Sequence, residues 1–389
     1  MTRNIQYKKL GEICDFISGG TPSKSKNEYW KNGNIPWIKI SDFKDKYIKF
    51  SEEKITKIGL ENSSAKILKK GTILYTIFAS VGKVAILDIE ATTNQAIVGI
   101  NLKEDNSIDK DFLYYFLSSI ENNIKKQARG VAQNNINISI LKNINIPILP
   151  MSFQKNIVKT LNKLENILEN FKQKKLLINF LNKSLFSRMF GDIKTNDKNW
   201  EIKKLGEVVE TQYGTSKKAT SVVGEFPILR MNNITYSGEM DYKDLKYIEL
   251  SDSEKEKFLL KKGELLFNRT NSKELVGKTG LFNLDIPMAF AGYLIRIKPS
   301  NLIHSKFLLF FMNSEFMKKL LYNKAKNIVG MANINAKELE DFSIILPPIE
   351  LQKKFAERIE KIEKLSFEIE KSIKEAENLY NSLISKYFD

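Results

Sequence analysis

The sequence predicts an α/β protein: two globular mixed α/β domains separated by two long antiparallel coiled-coil helices, with an internal pseudo-twofold repeat. Three observations carry that prediction. The 389-residue chain is written twice in the same order. Each copy has a proline-marked junction followed by a stretch free of Pro and Gly. In those stretches the apolar residues recur in steps of 3, 4 and 7, the narrow seam of a coiled coil.

The duplication is read directly from the chain. "YKKLGEI" at 7–13 returns as "IKKLGEV" at 202–208, and "LKKGTILYT" at 68–76 as "LKKGELLFN" at 260–268. "SVGKVAIL" at 80–87 answers "LVGKTGLF" at 275–282, and "DFLYYFLSS" at 111–119 answers "KFLLFFMNS" at 306–314. Even "RMFGD" at 188–192 and the closing "KYFD" correspond. Order is kept throughout, and each unit is domain-sized, so the chain is a tandem duplication and not a solenoid.

Four segments follow. Residues 1–150 form the first globule, where runs such as "GTILYTIF" and "IPWIKI" alternate with Gly, Asn and Pro turn signals. Residues 151–192 are a central helix with a seam at Ile157, Leu161, Leu164 and Leu168, continued through Phe171, Ile178, Leu181 and Leu185. Residues 193–348 repeat the globule. Residues 349–389 repeat the helix, with Ile359, Ile362, Ile369 and Ile373 on its seam. Pro147 and Pro150, and Pro347 and Pro348, stop each helix from running backwards into its globule. A helix of about 38 residues spans roughly 57 Å, and so narrow a seam needs a partner. The economical partner is the other copy.

Charge narrows the function. The chain carries 62 basic and 46 acidic residues, a net charge of +16, which points to a polyanion such as nucleic acid. The globules carry +7 and +5, the first helix +5 and the second −1. Two basic globules on a fixed-length spacer suit duplex DNA contacted at two separated sites. No apolar run is long enough to span a membrane. The start "MTRNIQYKKLGEI" has no signal-peptide core, so a cytoplasmic protein is expected.

Chemistry is hard to place. Cys14 and His304 are the only residues of their kinds, which excludes an internal disulfide and the usual zinc sites. His304, in "NLIHSKFLLFF", reads as a helix start or a packing residue, and Cys14 as a small buried one. There is no Asn/Asp-Pro-Pro-aromatic methyltransferase loop and no glycine-rich turn for an adenosyl cofactor. "VGKTG" at 276–280 imitates the end of a phosphate-binding loop, but its first glycine would fall at Ser272. Glu52 and Glu53 read as a solvated acidic pair. The expectation is a non-catalytic chain with no cofactor or metal of its own.

The order globule, junction, long helix, repeated once, resembles the specificity subunits of type I restriction–modification enzymes. The likeness covers the chain and is most specific at "NNINISILKNINIPILPMSFQKNIV" and "LLFNRTNSKELVGKTGLF…AFAGYLIRIKP". It implies two target-recognition domains, each reading half of a split DNA sequence, and two paired helices that set the gap and hold two modification subunits. Adenosylmethionine and ATP are then expected on partner subunits, one of them a restriction subunit. The family's junction carries Glu-Gln after the prolines, where this chain has Phe153–Gln154 and Leu351–Gln352.

Bases are read by Arg, Lys, Asn, Gln, Ser and Thr on short loops, and phosphates are held by Lys, Arg and backbone amides. In the first globule the candidates are Ser18, Gly19, Gly20, Thr21, Ser23, Lys24, Lys39, Ser41, Lys83, Arg129, Gln133 and Asn134. In the second they are Tyr213, Gly214, Thr215, Ser216, Lys217, Lys218, Arg230, Asn232, Asn233, Asn268, Arg269, Thr270, Asn271 and Lys278. Glycines in the opening loops are expected to let the backbone approach a phosphate, and Lys83 and Lys278 to contact one. The frames agree between copies while these loops differ, which predicts an asymmetric target. Competing readings are a coiled-coil adaptor whose basic globules bind protein or RNA, and the specificity subunit of a methylation-only complex.

Overall fold

The computed structural model describes residues 6–103, 107–121, 136–221, 224–328 and 331–388. The chain divides into two compact units: residues 1–172 with 371–389, and residues 173–370. Each unit therefore takes one globule together with part of both long helices.

In the first unit a five-stranded sheet runs in the order Cys14–Ser18, Ile97–Leu102, Ile73–Thr76, Val84–Leu87, Tyr47–Ile48. A three-stranded sheet of Glu53–Ile55, Ile35–Ile38 and Thr92–Thr93 lies alongside. The second unit repeats this with a four-stranded sheet, Val209–Tyr213, Leu294–Pro299, Leu265–Asn268, Thr279–Leu281. Its three-stranded sheet is Lys246–Ile248, Phe226–Leu229 and Ala289–Phe290. In each unit an antiparallel ribbon closes the globule beside the junction: Gln6 opposite Ile148 in one, Glu201 opposite Leu346 in the other.

Five helices complete the frame of the two units. Helix α1 is Lys110–Ser119 and α2 is Met151–Phe190. Helix α3 is Ser305–Met312, α4 is Glu315–Lys324 and α5 is Ile349–Phe388. Helix α1 is capped by the Asp109 carboxylate, which accepts from the amides of Asp111 and Phe112. His304 occupies the matching place before α3, its Nδ1 accepting from the Lys306 amide. The sequence expectation of a helix start is met there.

The seam residues Ile157, Leu161, Leu164, Ile359 and Ile369 are buried, while Leu168, Ile362 and Ile373 are partly buried. Within the second unit α2 and α5 run antiparallel. Phe190 packs on Phe355, the Met189 sulfur receives the Arg358 guanidinium, and further along Lys175 pairs with Glu370 at 2.7 Å. Leu181 departs from its predicted place and is 48% exposed. The buried line steps from Ile178 to Phe186 and Phe190 instead, leaving Leu181 on the outer face.

Both helices feed the globular cores directly, which a two-helix seam does not require. In the first unit Ile157 and Leu161 join the globule's core, and Tyr380, Leu383, Tyr387 and Phe388 pack against it. Phe388 meets Phe112 at 5.3 Å between ring centroids. In the second unit Phe186, Phe190, Phe355 and Ile359 are core residues around Phe307 and Phe311. Burying rings of this size is the largest single apolar contribution available to each contact.

Candidate nucleic-acid interface

The repeated junction glutamine is the first residue whose role the structure defines. Gln154 is fully buried. Its Oε1 accepts from the Asp109 amide at 2.8 Å, and its Nε2 donates to the carbonyls of Ser107 and Leu149 at 2.7 and 2.8 Å. Gln352 repeats the pattern on His304, Leu302 and Pro347, at 2.8, 3.2 and 2.7 Å. One amide thus ties three main-chain segments: the long helix start, the proline junction, and the cap of the globule's own helix. Phe153 is exposed and takes no part in this clamp.

The turns expected to read bases are built alike in both globules. In "WIKISDF" the Lys39 amide donates to the Asp42 carboxylate, closing a single 3-10 turn. In "ILRMNNI" the Arg230 amide donates to Asn233 Oδ1 in the same way. Ser41 and Asn232 sit at the exposed centres of these turns. Asn233 is buried and spends its amide on the carbonyls of Asp241 and Asp244, so it shapes the turn from inside.

Several expected contacts are neutralised within the fold. Lys24 pairs with Glu53 at 2.5 Å and its ammonium lies 3.5 Å from the Trp30 ring centroid. Lys39 pairs with the same Glu53 at 2.8 Å, and the hydrogen bonds from Lys24 and then Lys39 hold that carboxyl below its ordinary range. Glu53 is accordingly the hub of a built cluster and not half of a solvated pair. Lys217 pairs with Glu254 at 2.6 Å and, with Ser251, holds the Glu254 carboxyl down to about 2. Arg230 pairs with Asp244 at 2.8 Å.

Other expectations are corrected by burial. Gly20 and Gly214 serve the protein's own packing: a Cβ there would lie 2.3 Å from the Ala65 nitrogen and from the Ala291 carbonyl oxygen respectively. The ammonium of Lys278 is turned inward onto the carbonyls of Met231 (3.0 Å) and Ile234 (2.5 Å), and burial lowers its pKa. Asn268 is fully buried, and Thr215 and Thr270 nearly so. Gly19 is also buried, and Thr21 is tied to Gln95.

What remains open toward solvent is more select. Ser18, Ser23, Ser41 and Lys83 are exposed in the first globule, and Tyr213, Ser216, Lys218 and Asn232 in the second. Arg269 is half-buried, its guanidinium 4.9 Å from the Tyr213 ring centroid, a cation–π stack that holds the plane of the head group. Tyr213 is fixed in turn by accepting from the Ala336 amide at 2.8 Å. Asn271 Oδ1 accepts from the Ser272 amide at 2.8 Å. Among the described residues, Arg230 Nε, Arg269 Nε and both amide atoms of Asn268 have no hydrogen-bond partner. Arg129, Gln133 and Asn134 lie outside the described residues.

Sequence reading missed a second group altogether. Lys273, Lys318 and Lys319, with Tyr236 and Tyr322, come together from three separate segments around one cleft of the second globule. Their spacing in the chain carries no signal, because only the fold brings them together. Among the described residues no cluster of three His, Cys, Asp or Glu side chains is placed to hold a metal ion, and no helix is long and apolar enough to cross a membrane.

A duplicated mixed α/β reader joined to long paired helices, with arginine and amide side chains on matched turns, is the build of a DNA-recognition subunit. The chain belongs to the type I restriction modification DNA specificity domain family, which it matches twice, over residues 2–179 and 197–377. It is a specificity subunit of the type I kind, with two target-recognition domains. It is 24% identical to the type I restriction enzyme MjaIX specificity subunit of Methanocaldococcus jannaschii, covering 99% of this chain and 92% of that one. It is 26% identical to the EcoKI specificity subunit of Escherichia coli K12, over 97% and 87%. Among solved structures it shares its fold with the S subunit of the M. genitalium type I system, at a TM-score of 0.59 and 18% identity over 100% and 98% of the chains.

Proposed function

We propose that each globule reads one half of a split, asymmetric duplex DNA target, and that the paired helices set the gap between the halves. The observation that carries this is the matched pair of turns. The same capped frame presents Ser41 in one copy and Asn232 in the other, so equivalent positions offer different hydrogen-bonding groups to a base edge. Arg269, stacked and oriented by Tyr213, is the strongest candidate for bidentate contact with guanine.

The same reading gives this chain no chemical step. Two modification subunits bring adenosylmethionine and the methyl transfer, a restriction subunit brings ATP-driven cleavage, and the assembly works in the cytoplasm. Exposed apolar side chains support helix-borne partner binding: Leu176, Leu177 and Phe180 on α2, and Leu365 and Phe367 on α5. Large apolar groups left in water on a helix pair mark a docking face.

The test is Arg269→Ala, assembled with the modification subunit and assayed on duplexes substituted in one half-site at a time. Discrimination falls by about 1–3 kcal/mol at one half-site and is unchanged at the other. Equal weakening on specific and random DNA would reduce Arg269 to a phosphate contact.

A further inference from the structure

The cleft of the second globule encloses about 370 Å³. One wall is the turn after Thr270–Asn271, carrying Lys273 and Lys278; the other is α4, carrying Lys318 and Lys319. The ammonium of Lys318 lies 3.8 Å from the Tyr236 ring centroid and donates to the Tyr236 carbonyl at 2.6 Å. That of Lys273 lies 4.5 Å from the Tyr322 ring centroid.

Four lysines and two carboxylates line the cleft, so its positive charge is only partly compensated. Among the described residues none of the four lysines forms an ion pair, whereas Lys24, Lys39, Lys217 and Arg230 all do. Two carboxylates are near but turned elsewhere. Glu274 is held by its own backbone amide and Ser272, and Glu315 pairs with Lys183 at 3.1 Å. Each tyrosine ring carries an ammonium group over one face. Ammonium groups gathered in this way suit an anion.

We propose that this cleft is a phosphate site of the second reader, taking the backbone phosphodiesters that flank its half-site without reading sequence. The inference rests on the DNA-reading function proposed above and extends it to residues outside the expected reading loops. Burial lowers the pKa of Lys318, with Lys183 adding to the effect, and a bound phosphate would relieve that desolvated charge.

The test uses the full chain with Lys273→Ala and Lys319→Ala combined, which leaves the Lys318 and Lys278 hydrogen bonds in place. Binding to a random duplex and to a duplex carrying the methylated motif is measured across a salt series. The slope of log affinity against log salt becomes shallower by roughly two, with equal loss on both duplexes. An unchanged slope in a chain that still binds its motif would overturn this inference alone, as would a loss confined to the motif duplex. Absence of any salt-dependent duplex binding by the wild type would overturn the DNA-reading function with it. Pyrophosphate and ATP are added as competitors. Tight binding of either that the double variant loses, with the duplex slope unchanged, would assign the cleft to a soluble phosphate instead.

Discussion

His304 caps α3 through Nδ1, and a nitrogen that accepts an amide hydrogen must be unprotonated. Burial lowers its pKa from the ordinary 6.5, so folding releases a proton from this residue. Its contribution is complete above the unfolded value and is lost as pH falls through the lower folded one. His304→Asn keeps a cap acceptor without the titration. The melting temperature of the wild type is therefore expected to fall more between pH 7.5 and 5.5 than that of the variant; parallel curves would refute the linkage. Tyr75 makes the complementary case. It is fully buried, and its hydroxyl has no partner among the described residues, while the matching residue of the second copy is Phe267. Tyr75→Phe should leave stability unchanged or raise it by up to about 1 kcal/mol in urea titration. A clear loss would reveal a partner for the hydroxyl. The place of His304 just before an apolar run marked it as a helix start. Residue type did not tell Lys278 from a surface lysine, because burial there depends on the carbonyls of Met231 and Ile234, more than forty positions away.

The elements that were legible are those whose signal is periodic or local. The 3-4-7 spacing located α2 and α5, the prolines marked where they start, and Gln154 and Gln352 stood out as one letter stated twice. Their clamp was not legible, since its partners Asp109 and His304 lie 45 and 48 positions away. Replacing either glutamine by alanine strips a buried amide of three main-chain contacts, and should cost about 2–4 kcal/mol of unfolding free energy in denaturant. A cost below about 0.5 kcal/mol would show that the junction holds without it. Leu181 was misplaced for a related reason: the apolar pattern around it is nearly continuous, and tertiary packing on Phe307 and Phe355 selects Phe186 and Phe190 for the core. Ion pairs such as Lys39–Glu53 and Lys217–Glu254 were invisible because their members come from different strands or loops. If the helices act as a spacer, removing seven residues from each shortens the rod by about 10 Å, near three base pairs. The tolerated gap in the DNA target should contract accordingly.

For the molecule as a whole, duplication explains why the same junction is stated twice. Each copy begins a long helix with a proline stop and a glutamine clamp, and each adds a reader with its own polar turns. The family assignment follows from that frame; the bases read depend on the few side chains in which the copies differ. The most direct test is sequencing of adenine methylation in cells that express this chain with its modification subunit. The expected result is one motif in two parts, separated by a fixed run of unread bases, with unlike half-sites. A continuous motif, or a palindrome with identical halves, would contradict it.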